Sequence, residues 1–388
     1  MLTAAAHAQH LSAQLHELLC AEIAAAGGRL PFDAFMELAL YAPGLGYYVA
    51  GAHKFGAGGD FITAPELSPL FGQCVAAQCA EVLQTLAPPP GAMTNDILEF
   101  GAGSGALAVA VLRELERLES VPAHYWIVEL SAELAERQRQ RLFTELPHLA
   151  PRCGWLTTLP AHLRGVVLAN EVLDAMPVSR FQIAADGAIA EIFVTTTAGT
   201  LMDIAAPVQS PGLATAIAAL HAAGLAQAPG YSSEVNLRLA PWLAAVGAML
   251  DAGVVLVSDY GYSRANYYQP DRTSGTLLGY RHHQVSGNLY QHLGLQDLTA
   301  HVDFTAVAEA GEAAGFTLAG FTTQAHFLLG CGIDRLLAGA EVTLEQTLAA
   351  KQLLLPTAMG ERFKVLGLNK NISGEWCGFA VRDLRDRL

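Results

Sequence analysis

Basic residues are scarce in this chain: 22 Lys and Arg face 36 Asp and Glu among 388 residues, a formal net charge of −14. A protein that grips a phosphate backbone needs clustered cations to release counterions, so this balance argues against a nucleic-acid partner. The one short basic stretch, Arg382 to Arg387, is interleaved with Asp383 and Asp386 and reads as a solvated tail. Charge of either sign is also sparse, at 15% of residues, against a usual share of about 25%. With 52% hydrophobic residues, disorder is excluded and a large core is implied. Mean hydropathy of +0.31 raises the question of a membrane protein. A span needs roughly 18 or more consecutive apolar residues, and the most apolar helical stretch, Leu70 to Leu86, is broken by Gln73, Gln78, Glu81 and Gln84. Membrane insertion is therefore not expected.

The six cysteines, Cys20, Cys74, Cys79, Cys153, Cys331 and Cys377, include no C-x-x-C pair. Neither a metal site nor a disulfide framework is suggested, and a reducing compartment fits. Met1 to Leu19 contains no Lys or Arg, which lacks the basic start of a secretory signal and the Arg-rich pattern of a transit peptide. A cytoplasmic protein is the expectation.

Residues 8 to 26 carry Leu11, Leu15, Leu18, Leu19 and Ile23 at helical spacing and stop at Gly27-Gly28. A Gly, Pro and aromatic-rich segment follows from Pro31 to Pro69, too long for a plain linker. Ser68-Pro69 opens another helix, and Pro88-Pro89-Pro90-Gly91 closes this N-terminal unit, placing a helical cap and covering loop at 1–91.

From Asp96 the texture changes. Ile97 to Phe100, Tyr125 to Glu129, Gly165 to Ala169 and Gly253 to Asp259 are short apolar strands, with helices at Ala106 to Leu118 and from Ser131 to Leu142. Strands alternating with helices give an α/β fold, a parallel sheet covered on both faces. That domain spans 92–388, with an insertion at about 181–250, whose Asp186-Gly187 reads as a hairpin turn, and a Tyr/Arg-rich loop at about 260–298. Asp303 is expected to cap a helix through Ala314, and Phe316 to Leu329, Phe363 to Leu368 and Trp376 to Val381 alternate as strand candidates.

The chemistry-bearing constellation is Glu99-Phe100-Gly101-Ala102-Gly103-Ser104-Gly105 between a strand and a helix. Glycines suit a sharp turn that a ligand approaches without a Cβ in the way. Two cofactor classes use such a loop. Gly101, Gly103 and Ala106 match the G-x-G-x-x-G/A of nicotinamide and flavin enzymes, whose helix N-terminus holds a pyrophosphate. The whole segment also matches the E/D-x-G-x-G-x-G of class I S-adenosylmethionine-dependent methyltransferases. Glu99 favours the second, because an acid there suits a sulfonium and repels a dinucleotide phosphate. Glu129 closes the next strand, placed for ribose hydroxyls in either class. A ligand-free glycine turn is the bland alternative, made unlikely by the order of strand, acid, glycines, helix, strand and acid.

Flanking segments sharpen this. Gly58 to Glu66 (GGDFITAPE), Leu168 to Val178 (LANEVLDAMPV), Val257 to Gly261 (VSDYG) and Asp297 to Phe304 (DLTAHVDF) together resemble the MidA family of class I S-adenosylmethionine-dependent methyltransferases, over about Pro31 to Gly315. That family includes a mitochondrial respiratory-complex assembly factor that methylates a protein arginine. The resemblance implies a Rossmann-like, mostly parallel seven-stranded-type sheet and S-adenosylmethionine as cofactor. It also implies a protein substrate, with arginine favoured and a respiratory-complex subunit as one candidate. Cofactor-binding residues are then Glu99, Gly101, Gly103, Gly105 and Glu129, with Gly59, Asp60, Phe61 and Thr63 closing from the N-terminal side. Asp60 has the bland alternative of a glycine-assisted turn. A dinucleotide-dependent oxidoreductase and a non-catalytic cofactor-binding assembly factor stand as alternatives, and the oligomeric state is open.

Glu171 and Asp174 lie just past a strand's C-terminal end, where open α/β sheets bind ligands. If a helix starts there, their spacing puts both on one face. They are the expected catalytic carboxylates, holding the acceptor and taking its proton, with Asn170 orienting them. For Asp174 the alternative is a turn cap before Pro177. Residues Tyr260 to Gln296 hold six of the eleven tyrosines, with Arg264, Arg272 and Arg281 against Asp271 alone. They form either a lip for an acidic or extended polypeptide or packing over the sheet edge. His282-His283 lacks a ligand partner at metal spacing, and Cys74 with Cys79 reads as core packing.

Overall fold

The computed structural model describes residues 4–50, 63–86, 94–338 and 342–388. They form two compact units, each assembled from non-contiguous stretches: 62–173, 240–261 and 302–388 in one, and 1–61, 174–239 and 262–301 in the other.

The first unit is built on a sheet of seven long strands: β1 (Asp96–Phe100), β2 (Tyr125–Val128), β3 (Cys153–Leu156), β4 (Leu163–Asn170), β5 (Leu250–Tyr262), β6 (Thr317–Thr323) and β7 (Phe363–Lys370). Their order is β3-β2-β1-β4-β5-β7-β6, with the two-residue strand Val302–Asp303 added beside β5. The first five are parallel, and β7 runs antiparallel to both β5 and β6. This is the class I methyltransferase sheet. Val166 to Ala169 of β4 and Val254 to Val257 of β5 are buried throughout, as a parallel sheet covered on both faces requires. Strand order reverses between β1 and β4, so the crevice at their C-terminal ends is where such a sheet receives a ligand.

Helix α1 (Pro69–Thr85) belongs to this unit and not to an N-terminal cap. Ser68 caps it, its Oγ accepting from the Leu70 N–H at 3.3 Å, with proline in the first turn. It packs on α2 (Ala106–Arg117) so closely that a Cβ at Gly72 would stand 2.4 Å from Ala110 Cβ. Hence the boundary between the units falls at residue 61 rather than at 91. The helix α3 (Ala132–Glu145) is capped by Ser131, as expected. Asp303 likewise caps Phe304–Ala313. Two strand expectations need correction. The expected Phe316 to Leu329 strand covers only Thr317–Thr323, where Thr323 caps a helix over Gln324–Gly330. Cys377–Ala380 is a short helix, tied down by Gln78 Oε1 accepting the Gly378 N–H at 2.9 Å.

The second unit contains the helices Ala4–Ala25 and Phe32–Tyr41 and an antiparallel sheet. In that sheet Leu30–Pro31, Ile189–Thr197, Ser179–Ile183 and Ser232–Val235 lie side by side, and Thr200–Ala206 pairs with Ile189–Thr197. Leu15, Leu19, Ile23, Phe32 and Phe35 form its core. The Asp186-Gly187 turn is present, with Ile183 opposite Ile189 and Gly187 at φ 82°. The Tyr/Arg-rich stretch folds in this unit too, as the short helix Arg264–Tyr267 and a small sheet of Leu278–Arg281, Gln284–Ser286 and Asp297–Thr299. Among the described residues no helix is long and apolar enough to cross a membrane.

Candidate functional site

The loop from β1 into α2 is shaped by its glycines: Gly101, Gly103 and Gly105 take φ of 60°, 54° and 81°, the left-handed region where a Cβ is strained. Gly101 N–H donates to Val128 O at 3.0 Å, tying the loop to the end of β2. Gly105 stands at the N-cap of α2.

The loop is braced from α3. Gln138, wholly buried, donates through Nε2 to Gly103 O at 2.9 Å and to Glu129 Oε2 at 2.8 Å, while its Oε1 accepts from Trp155 Nε1 at 2.9 Å. Glu129 Oε1 accepts the Ser131 N–H at 2.9 Å. Burial raises the Glu129 carboxyl above its usual range, and the bonds from Ser131 and Gln138 work against that rise. Arg141 Nη1 donates to Ser104 Oγ at 2.8 Å, and the Ser104 hydroxyl donates in turn to Glu66.

Gln138 was missed in the sequence, although a signal existed. Leu134, Gln138 and Leu142 stand four residues apart on the buried stripe of α3, and a polar residue on such a stripe must find partners inside.

Glu99 lies behind the loop, only 2% exposed, with Oε2 accepting from Tyr125 OH at 2.7 Å. Burial pushes its carboxyl up from 4.5 to about 7; the Tyr125 hydrogen bond opposes this, and the charge of Glu129 adds to it.

Beyond β4 the chain does not start a helix at Glu171. It makes turns instead, because Glu171 takes a left-handed backbone conformation that a right-handed helix does not admit. Glu171 adopts φ 52° and donates its N–H to Ser258 O at 2.9 Å. Leu173 N–H goes to Asp259 Oδ2 at 3.0 Å, and Asp259 Oδ1 takes the Tyr260 N–H at 2.9 Å. Asn170 Nδ2 donates to Glu171 Oε1 at 3.2 Å. The buried Asp259 thus shapes the segment that presents Glu171, a role its position at a strand end did not announce.

Asp174 belongs to the other unit, buried, with its carbonyl accepting the Ala300 N–H at 3.0 Å. In that unit Tyr48 OH donates to both Asp297 oxygens at 3.0 and 2.9 Å. Burial first, then the charges of Asp297 and Asp174, push the Tyr48 phenol well above its usual range. In the stretch read as either a lip or packing, Tyr267 and Tyr268 are buried, donating to Glu234 Oε1 at 2.7 Å and Glu234 O at 3.0 Å. His282 and His283 form the exposed turn of the Leu278–Ser286 hairpin. Thr63 is half-buried at the start of the short helix Ala64–Leu67, and Gly59, Asp60 and Phe61 lie outside the described residues.

A glycine loop at the switch point of this sheet, with an acid closing the neighbouring strand, defines a nucleoside-binding α/β enzyme, and the strand order with its antiparallel β7 is of the class I methyltransferase type. Residues 74–322 match the family described as "putative S-adenosyl-L-methionine-dependent methyltransferase", and the chain belongs to that family. A crystal structure from Burkholderia thailandensis, bound to S-adenosyl-homocysteine, superposes with a TM-score of 0.92 at 40% identity over 98% of both chains. The mitochondrial protein arginine methyltransferase NDUFAF7 of Danio rerio is 28% identical, over 87% of this chain and 83% of its own. The Homo sapiens protein of that name is 28% identical, over 88% and 80%. Family membership decides what the glycine loop left open: the protein is a methyltransferase and its cofactor is S-adenosylmethionine, not a dinucleotide. The expectation of a cytoplasmic protein is overturned, because these curated relatives are named as mitochondrial.

Proposed function

We propose that this methyltransferase acts on a protein arginine side chain and that Glu171 is the carboxylate that receives the acceptor. The observation that carries this reading is the presentation of Glu171. It stands at the C-terminal end of β4 in a left-handed conformation, its backbone fixed by Ser258 and its side chain by Asn170. Strain of this kind persists where the surroundings over-determine it, and it collects at functional sites. The names of the curated relatives support arginine as the acceptor.

The residues fit the cofactor. Three positive-φ glycines leave the loop backbone open to a ligand. Glu129 offers a carboxylate with about four acceptor sites, beyond those used by Ser131 and Gln138, for a ribose hydroxyl. Glu99 supplies negative charge beneath the loop, and Thr63 is assigned to the cofactor together with Gly59, Asp60 and Phe61, which lie outside the described residues. Bound S-adenosylmethionine supplies an activated methyl on a sulfonium. Glu171 grips the guanidinium, aligns one nitrogen with that methyl and accepts the proton this nitrogen loses as its bond to carbon forms. Asn170 holds the carboxylate in place. Asp174, three residues on, is assigned to acceptor binding and is tested by its own variant. A respiratory-complex subunit as the acceptor is the narrower reading, which rests on the family resemblance.

The test is transfer of labelled methyl into an extract of cells lacking this protein, with mass spectrometry of the modified band. E171A and D174A are expected to bind S-adenosylmethionine normally and lose transfer. Label on a small molecule, or on a residue other than arginine, rejects the acceptor; full turnover in E171A rejects the role of Glu171.

A further inference from the structure

Ser258 is the cross-strand neighbour of Asn170 in the parallel β4–β5 register, so their side chains leave the same face of the sheet. Both line one cavity, whose other walls are apolar and include Phe71, Leu107, Leu256 and Phe327. Ser258 is only 8% exposed. Its Oγ and the Oδ1 of Asn170 are both buried with no hydrogen-bond partner among the described residues. One is a hydroxyl that both donates and accepts, and the other is an acceptor only. Buried polar groups of this kind are normally satisfied, which makes a shared partner the expected arrangement.

The cavity measures ≈ 20 Å³, against the roughly 10–15 Å³ that one water requires. A water with Ser258 Oγ and Asn170 Oδ1 as its partners satisfies both atoms. We propose that Ser258 is a positioning residue which, through one ordered water in this cavity, holds the Asn170 amide with Oδ1 inward and Nδ2 toward Glu171.

The consequence lies in the amide's two ends. With Oδ1 held inward, Nδ2 donates to the Glu171 carboxylate, as observed at 3.2 Å. A flipped amide turns an oxygen toward that carboxylate and pushes it away. Ser258 then controls Glu171 twice, through its carbonyl on the Glu171 N–H and through its hydroxyl on Asn170. Asn170 is the orienting residue named by its motif, whereas Ser258 enters the sequence reading only within the Val257 to Gly261 segment, with no role of its own.

This inference rests on the assignment of Glu171 above, and the experiment keeps the two apart. The variants are S258A, S258C, S258T and E171A, read by labelled methyl transfer into the extract described above and by the KM for S-adenosylmethionine. S258A and S258C are expected to lower the rate at saturating cofactor by roughly three- to tenfold, the worth of one hydrogen bond, with that KM unchanged. S258T retains a hydroxyl that can hold the same water, and it is expected to restore the rate. A crystal structure of the unmodified protein is expected to show the water between Ser258 and Asn170, and one of S258A to show it lost or the amide turned. Wild-type rates in S258A, or equal impairment of S258T and S258A, overturn the positioning role while leaving Glu171 in place. An active E171A overturns both.

Discussion

Tyr125 donates its phenolic hydrogen to Glu99 Oε2 at 2.7 Å inside the sheet unit, and this is the bond that keeps Glu99 ionisable near neutrality. Burial alone favours the neutral acid, and the Tyr125 bond stabilises the anion against it. A cation bound above the loop favours the anion further. With a free-protein value of about 7, affinity for S-adenosylmethionine is expected to rise about tenfold between roughly pH 6 and pH 8. E99Q is expected to flatten that rise and Y125F to move its midpoint upward. Calorimetric titration across this range checks it, and a flat profile in the unmodified protein contradicts it.

The same carboxyl has a stability signature of opposite sense. Its folded value lies above the 4.5 of the free group. Between 4.5 and about 7 the native state therefore holds a proton that the unfolded chain has lost, and stability falls as pH rises. E99Q carries no such charge. Its stability relative to the unmodified protein is expected to improve with pH over this interval by on the order of 2 kcal/mol. Urea unfolding at the two ends of the interval measures the difference; an unchanged difference refutes the ionisation assigned to Glu99.

Gln138 serves three partners at once, so its loss reaches the cofactor without touching it. Q138L keeps the volume but leaves Gly103 O and one Glu129 oxygen without their donor. Weakening of S-adenosylmethionine binding by about tenfold is expected, with a loss of about 1–3 kcal/mol in stability. Q138E is expected to be worse, because it sets a second carboxylate against Glu129. Isothermal titration with the cofactor separates these variants, and normal affinity in Q138L removes Gln138 from the site.

Local pattern made one part of the molecule readable and not the other. Strand, glycines, helix, strand and acid from Ile97 to Glu129 are short-range signals, and their structure follows the reading to within one residue at each end. The hairpin at Asp186-Gly187 has the same origin. What could not be read depends on partners far along the chain. Whether a helix starts at Glu171 is open in the sequence; the carbonyl of Ser258 and the carboxylate of Asp259, far along the chain, instead hold the segment in turns with Glu171 at φ 52°. Tyr267 and Tyr268 could be read as lip or as packing from the sequence, because Glu234, which draws both hydroxyls inward, stands more than thirty residues earlier. Each unit also gathers three separate stretches of chain, an arrangement that no local periodicity encodes.

The contact between α1 and α2 gives a prediction confined to stability. An alanine is normally better than glycine in a helix by about 1 kcal/mol. At Gly72, however, the new Cβ would stand 2.4 Å from Ala110 Cβ, and overpacking of this kind costs about 1–3 kcal/mol. The steric cost wins, so G72A is expected to lower the melting temperature by several degrees, and G72A/A110G to recover part of the loss. Scanning calorimetry of the single and double variants tests this; a stabilised G72A excludes so close a contact.

Four of the six cysteines, although scattered in sequence, come together in the sheet unit. Cys331 Sγ and Cys377 Sγ stand 3.9 Å apart, and Cys74 and Cys79 are near enough to feel the charge of Cys377. Proximity suggests reactivity, but the electrostatics oppose it. Burial pushes the thiols of Cys74, Cys79 and Cys331 well above their usual range, and the thiolate is the reactive form. Alkylation of the folded protein near pH 8 is therefore expected to spare these three, to modify the half-buried Cys20 first, and to leave methyl transfer unchanged. Denaturation is expected to release all three together, since they share one core. Mass spectrometry of peptides alkylated before and after addition of urea reads the order, and early labelling of Cys74 or Cys331 in the folded protein would show that this core opens readily.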